Sequence, residues 1–330
     1  MLNNKTILIT GGTGSFGNAF VSRISKLYKP KKLIIYSRDE YKQFHMQKKF
    51  SGKKYNFLRF FIGDVRDLSR LQMAMKNVDY VIHAAALKHV PIAEYNPIEY
   101  VKTNIIGAQN IIEASLACKV KKIIALSTDK AANPINLYGA TKLASDKLFV
   151  TANSLAGSQD TKFAVVRYGN VVGSRGSVAP YFKSLIESGQ KTLPITHKEM
   201  TRFWITLEQA VNLVVTSFKK MIGGEIIVPK IPSIKVVNLA KSFDPKINLK
   251  IIGVRPGEKI HELMCPNEFH HLTFEFKKYF LILNDKNKKI MSDLSKNYRE
   301  KPKKVEKDFE YSSGNNQKFL SIKEIKKLKF

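Results

Sequence analysis

Through the first half of the chain, short runs of β-branched and aromatic residues alternate with longer stretches whose apolar positions recur every three or four residues. The runs are Lys5–Thr10 (KTILIT), Lys32–Ser37 (KLIIYS), Asn56–Phe61 (NFLRFF), Val78–Ala84 (VDYVIHA) and Lys121–Ser127 (KKIIALS). Each is close to continuously apolar, as expected of a parallel strand covered on both faces. The intervening FGNAFVSRISKLY and NPIEYVKTNIIGAQNIIEASLACK read as amphipathic helices. Strands separated by helices at this spacing predict βαβ units and an α/β fold built on a doubly wound parallel sheet. Lys162–Gly169 (KFAVVRYG) is expected to be a sixth strand.

After Gly169 the pattern loosens into Gly- and Pro-punctuated loops such as NVVGSRGSVAP, VPKIPS and GVRPGEK. These predict a smaller lobe over the carboxyl ends of the strands, where open α/β sheets bind ligands. TLEQAVNLVVTSFKK reads as a helix returning to the core. The expected organisation is a nucleotide-binding domain over 1–169, a mainly substrate-binding lobe over 170–285, and a basic tail over 286–330 with a closing element in YSSGNNQKFLSIKEIKKL.

Composition narrows the picture. The chain has 330 residues, enough for a nucleotide-binding core with a partner lobe, and 44% of them are apolar. Two cysteines, Cys118 and Cys265, exclude a disulfide framework and fit a reducing cytosol; no spacing of His, Cys, Asp or Glu reads as a metal site. The chain starts directly into a strand and has no apolar run of membrane-spanning length, so a cytoplasmic protein without a membrane partner is expected. The net charge of +29 raises the question of nucleic acid. The lysines are spread over the whole chain, and Asp285–Glu310 holds few aromatics for base stacking. A solvated basic surface is therefore expected, with no nucleic-acid partner.

The turn after the first strand, ITGGTGSFG, spaces Gly11, Gly14 and Gly17 three residues apart where a strand gives way to a helix. Such glycines let the backbone approach a pyrophosphate, and the helix N-terminus favours its charge. The loop through Thr13, Ser15 and Phe16 is thus a dinucleotide site. The second strand ends in Tyr36-Ser37-Arg38 rather than in the carboxylate that would grip a ribose diol, which favours NADP, with Asp39 keeping NAD open. Asp64 and Val65 after the third strand are expected at the adenine, and Ala84 and Ala85 after the fourth also at the cofactor.

Ser127–Lys142, STDKAANPINLYGATK, carries the chemistry. Tyr138 and Lys142 are four apart and share a helix face. A nearby ammonium lowers a phenol's pKa and fits it to act as a base, while Thr128 offers a hydroxyl to a substrate oxygen. Asp129 and Lys130 stand ready for a second reaction. Adjacent at a strand end, their side chains are expected to project in different directions.

Gly-rich loop, five strands and Tyr-x-x-x-Lys together resemble the extended short-chain dehydrogenase/reductase family. TGGTGSFG, SRDE, GDVRD, HAAALKHVPIAEYNP, STDKAANPINLYGATK, GNVVGSRGSV, MTRFWIT, GGEIIVPKIPS and VRPGEKIHE resemble, in order, the 5-inverting UDP-N-acetylglucosamine 4,6-dehydratase family that opens pseudaminic acid synthesis. The resemblance implies a homo-oligomeric lyase with tightly bound NADP. Tyr138 would oxidise C4 of the sugar, Asp129 would protonate the departing C6 hydroxyl, and Lys130 would take the C5 proton. To act as a base Lys130 must be neutral, a state expected from burial near Lys142 and other cations. Lys88, Asn170, Arg175, Arg202, Arg255 and Glu258 are implied as substrate contacts. His83 and His89 read as local hydrogen-bonding residues. The competing readings are a retaining dehydratase or 4-epimerase of a nucleotide sugar and, more distantly, a non-catalytic NADP- or RNA-binding protein.

Overall fold

The structure, a computed structural model, describes residues 1–157, 159–174, 176–284 and 288–328. Its first half runs β1 (Thr6–Thr10), α1 (Ser15–Leu27), β2 (Lys32–Ser37), α2 (Glu40–Lys49), β3 (Leu58–Ile62), α3 (Leu68–Met75) and β4 (Tyr80–His83). There follow α4 (Val90–Tyr95), α5 (Pro97–Tyr100), α6 (Gly107–Ala117), β5 (Lys122–Thr128), α7 (Leu137–Leu155) and β6 (Lys162–Tyr168). All six expected strands form, with ends shifted by at most two residues. The stretch joining α5 to α6, Val101–Ile106, is a π-helical turn, so the expected long helix is present with one widened turn.

The second half comprises β7 (Asn170–Val171), α8 (Val178–Glu187), β8 (Thr192–Ile195), β9 (Thr201–Ile205), α9 (Leu207–Lys220), β10 (Ile226–Pro229) and β11 (Ser233–Lys235). Then come α10 (Val236–Phe243), β12 (Asn248–Ile251), β13 (Leu263–Cys265), β14 (Thr273–Glu275), β15 (Tyr279–Ile282), α11 (Lys288–Tyr298), β16 (Lys303–Lys304), β17 (Tyr311–Ser312) and α12 (Ile322–Lys327).

The main sheet is ordered β16-β14-β15-β10-β6-β5-β4-β1-β2-β3. From β3 to β10 every pairing is parallel, and β15, β14 and β16 extend the edge antiparallel. The order 3-2-1-4-5-6 is that of a dinucleotide-binding sheet, with its crevice at the carboxyl ends of β1 and β4, where the winding reverses. Ile7, Leu8, Ile9, Val81, Ile82, Ile123 and Ile124 are fully or almost fully buried, which explains why these strands read as unbroken apolar runs. Truncating one of them to alanine would cost about 2–5 kcal/mol.

A second apolar cluster, including Leu193, Ile195, Trp204, Ile234 and Leu239, is the core of the smaller lobe. The basic C-terminal segment does not lie loose over this framework. Leu294 and Tyr298 of α11 join the main core, Ile325 of α12 enters the core of the lobe, and β17 pairs with β13. This segment closes both halves of the molecule.

Candidate active site

The turn from β1 into α1 is dictated by its glycines. Gly11 takes φ +62°, and a Cβ on it would stand 2.9 Å from the backbone of Ala85; a Cβ on Gly17 would come within 1.9 Å of the Gly12 carbonyl oxygen. The loop therefore packs tight against the end of β4, and α1 starts directly behind it. Gly14, the residue capping α1, has no side chain to satisfy the first amide groups, which face a cleft of ≈ 900 Å³. An uncapped helix start on a glycine floor fits a pyrophosphate.

Gly11, Thr13, Gly14, Ser15, Phe16, Ser37, Arg38, Asp64, Val65, Ala84 and Ala85 all line this cleft, while Gly17 acts from behind by close packing. At the end of β2 the Ser37 hydroxyl hydrogen-bonds Thr13 at 3.0 Å. Asp39 caps α2, accepting from the Lys42 amide at 2.9 Å and pairing with the Lys42 ammonium. Arg38 lies 3.6 Å from Asp64 and is largely exposed toward the cleft. Burial would raise the Asp64 carboxyl, but hydrogen bonds from Arg66 hold it below the usual range.

The cleft continues to Thr128, Asp129, Lys130, Tyr138 and Lys142, so all five expected catalytic residues meet there. β5 delivers Thr128, and α7 delivers Tyr138 and Lys142 on one face. The Asn136 side chain starts α7 by accepting from the Gly139 amide at 2.8 Å. Tyr138 is hydrogen-bonded to the Thr128 hydroxyl, and burial pushes its phenol up to about 12. Lys142 is pushed down by burial, opposed by Asp146, and its ammonium donates to the Leu126 carbonyl at 2.9 Å. The expected lowering of the phenol by Lys142 is thus not found. Burial dominates, and the cation that opposes it at Tyr138 is Lys130.

Asp129 and Lys130 also depart from expectation. They sit beyond the end of β5 in a 3-10 turn, Asp129–Ala131, where side chains no longer alternate as they do along a strand. Instead of diverging they meet, with the Lys130 ammonium donating to Asp129 Oδ1 at 3.0 Å. Asp129 is fully buried and also accepts from Thr128 at 3.0 Å. Burial, aided by Glu262, raises its carboxyl above the usual range against the pull of Lys130.

Lys130 was expected to be neutral among cations. Its ammonium instead lies 3.0 Å from the Glu262 carboxylate as well as from Asp129. Burial favours loss of its proton, but the two carboxylates outweigh burial and Arg202, and its pKa is raised. Lys130 rests as an ammonium.

The expected substrate contacts divide into three groups. Lys88 and Asn170 line the cleft, and Asn170 Oδ1 is a buried acceptor with no hydrogen-bond partner among the described residues. Arg255 and Glu258 pair with each other on a loop fastened by the Asn136 side chain, which donates to the Gly257 carbonyl at 2.7 Å. Arg202 is buried outside the cleft lining, its guanidinium donating to the carbonyls of Thr201 and Ile260 at 2.6 and 3.1 Å. Its guanidinium also stands 3.7 Å from the Glu262 carboxylate. Arg175 lies outside the described residues. His83 hydrogen-bonds Thr10 at 2.9 Å, and the His89 carbonyl accepts from Tyr100 at 2.7 Å, as expected of local bonding residues. Tyr168, at the end of β6, and Glu262 complete the site and were missed. Glu262 is the last residue of the VRPGEKIHE motif, and only the fold brings it to Lys130.

Sheet order and cleft define an α/β protein of the extended short-chain dehydrogenase/reductase class. The chain belongs to the polysaccharide biosynthesis protein family, whose model matches residues 7–284, and within it to the UDP-N-acetylglucosamine 4,6-dehydratases. It is 58% identical to the UDP-N-acetylglucosamine 4,6-dehydratase (inverting) of Campylobacter jejuni subsp. jejuni serotype O:23/36 (strain 81-176), covering 98% of this chain and 97% of that relative. A UDP-glucose 4-epimerase of Rickettsia conorii (strain ATCC VR-613 / Malish 7) is 41% identical, covering 99% of this chain and 96% of the relative. The X-ray structure of Pen from Bacillus thuringiensis superposes with a TM-score of 0.87 at 37% identity, covering 99% of this chain and 98% of that one.

Proposed function

We propose that this protein converts UDP-N-acetylglucosamine to UDP-2-acetamido-2,6-dideoxy-β-L-arabino-hex-4-ulose, the inverting 4,6-dehydration that begins pseudaminic acid synthesis. The observation that carries the reading is the meeting, in one cleft, of the Tyr138/Lys142 oxidation pair with the buried Asp129–Lys130 pair. Oxidation at C4 needs the first pair; loss of water across C5–C6 needs an acid and a base besides. The name of the Campylobacter relative supplies the sugar and the inversion.

The cofactor is NADP, held by the Gly11–Gly17 loop, by Ser37 and Arg38 at the adenosine phosphate, and by Asp64, Val65, Ala84 and Ala85 along the cleft wall. Asp39 also lines the cleft, but its carboxylate is engaged at the start of α2, by the Lys42 amide and ammonium. When bound, NADP supplies the hydride acceptor for C4 and the donor for C6. Thr128 and Tyr138 hold the C4 hydroxyl between them, and Tyr138 takes its proton when in the phenolate form, which burial makes the minor one. Lys142 fixes the helix face from which Tyr138 reaches in. Asp129, its carboxyl raised above the usual range by burial, is suited to take the proton of the neighbouring Lys130 and give it to the C6 hydroxyl as it leaves. Lys130 takes the C5 proton once its own ammonium proton has passed to Asp129, 3.0 Å away.

Lys88, Asn170, Arg175, Arg255 and Glu258 are assigned to the nucleotide sugar, Arg202 supporting them from the core. Self-association and a cytoplasmic setting complete the reading. Ile92, Tyr95, Ile98 and Ile106, exposed around α4 and α5, are the kind of apolar surface that a second copy would cover.

Incubation with UDP-N-acetylglucosamine in deuterated water, followed by NMR of the product, tests this. A 4-keto-6-deoxy sugar carrying deuterium at C5 with L-arabino couplings is expected. D-xylo couplings would make the enzyme a retaining dehydratase. A C4 epimer with no loss of water would replace the dehydratase reading altogether.

A further inference from the structure

Glu262 is the best-supported addition to this site. It immediately precedes β13, is almost fully buried, and has one carboxylate oxygen, Oε1, 3.0 Å from the Lys130 ammonium. Its backbone is clamped from both sides by Ser313. The Glu262 amide donates to the Ser313 hydroxyl at 2.8 Å, and the Ser313 amide donates to the Glu262 carbonyl at 2.7 Å. Thr201 is tied into the same cluster, hydrogen-bonded to Ser313 and to His261 at 2.8 Å each. A carboxylate held this firmly in a dry environment must keep its counter-charge.

We propose that Glu262 is a positioning residue for Lys130, holding its side chain against Asp129 as an ammonium between turnovers and so setting the pH at which Lys130 becomes available to the C5 proton. Among the described residues, five charged or titratable groups bear on Lys130 or its turn. Asp129 lies on its own turn, Glu262 before β13, Arg202 on β9, Tyr138 on α7, and Lys259 on the loop before β13, its ammonium donating to the Ala132 carbonyl at 2.8 Å. Arg202 Nε stands 3.7 Å from Glu262 Oε1, and its charge bears on both partners. Burial would raise the Glu262 carboxyl, but Lys130 and Arg202 hold it below the usual range, so it stays a carboxylate. The three groups Asp129, Lys130 and Glu262 thus form a buried line with the ammonium in the middle. Removing its far end leaves Asp129 alone to oppose burial at Lys130.

The kinetic arm of the test rests on the dehydratase reading; the labelling arm does not. Lys130 is labelled by an amine-reactive anhydride across a range of pH, and its peptide is quantified by mass spectrometry beside that of exposed Lys48 in the same digest. In the wild type the labelling midpoint of Lys130 is expected above that of Lys48. In Glu262→Gln it should fall by about one unit or more, which is tenfold or more in proton affinity, and Glu262→Asp should bring it back toward the wild type. The limb of the dehydration pH–rate profile that reports Lys130 should move to lower pH by the same amount.

A wild-type midpoint at or below that of Lys48 would overturn the proposal, and that measurement needs no variant. So would an unchanged midpoint in folded Glu262→Gln. Should the wild type form no 4-keto-6-deoxy product, the functional reading fails while the labelling result still decides the role of Glu262.

Discussion

Lys130 reaches back to its own neighbour: Nζ stands 3.0 Å from Oδ1 of Asp129, although a strand would have sent the two side chains apart. The turn that allows this starts where β5 ends, on the wall of the cleft. The residues proposed as acid and base therefore sit side by side in the cleft. Inversion at C5 cannot be explained by opposed placement of this pair, and the planarity of the intermediate at C5 leaves either face open to protonation.

Asp129→Asn and Lys130→Ala should each lower dehydration by about 10²–10⁴-fold, the usual cost of removing a positioned acid or base. Both variants are expected to retain bound dinucleotide, because neither residue belongs to the glycine loop. Turnover by NMR, with the released nucleotide identified by mass spectrometry, checks both halves. Near-normal turnover in either variant would return the pair to a structural role.

Gly139 sits under the Lys130 turn. A Cβ there would lie 2.3 Å from the Lys130 carbonyl oxygen, a backbone atom that cannot swing aside. Gly139→Ala should therefore push α7 away from the turn, at a cost of about 1–3 kcal/mol, and displace Tyr138 relative to Lys130. A lowered melting temperature together with a fall in turnover is expected. Wild-type values of both would show that the two elements are less tightly apposed than the structure has them.

Arg38→Ala should weaken NADP binding by about tenfold or more and leave NAD binding nearly unchanged, since only a 2′-phosphate loses a charged donor. Titration of the nucleotide-stripped protein with each dinucleotide measures this. Equal losses for both would assign Arg38 to shared parts of the cofactor.

The six parallel strands were legible because burial on both faces forces continuous apolar runs, and the glycine loop because its spacing answers a steric need. β14, β15 and β16 were not legible. They are two to four residues long and become strands only by pairing onto the edge of β10. The segment carrying Leu294, Tyr298 and Ile325 was hidden in the same way, its apolar residues scattered among lysines. At the site, residue types that share a short stretch were found together. The charge state of Lys130 was not, because Glu262 reaches it from a distant part of the chain.

Glu225 provides a stability test that does not involve catalysis. It is fully buried between α9 and β10, where its two oxygens accept from the amides of Ile222 and Gly223 at 2.8 and 2.7 Å. Burial outweighs those bonds and the nearby Lys122, and raises the carboxyl from the ordinary 4.5 to about 7. In this window the folded protein binds more protons at Glu225 than the unfolded chain does. By linkage, the contribution of Glu225 to stability is full below pH 4.5, falls as pH rises through about 7, and is flat above that. The whole effect is at most about 3 kcal/mol. Other groups add their own pH dependence, so the quantity to follow is the wild type minus Glu225→Gln, from urea unfolding at a series of pH values. Glutamine cannot titrate and keeps one of the two acceptors. The difference should shrink steadily for the wild type between pH 4.5 and 7 and then level off. A difference that grows with pH would mean that the two amides and Lys122, not burial, govern this carboxyl.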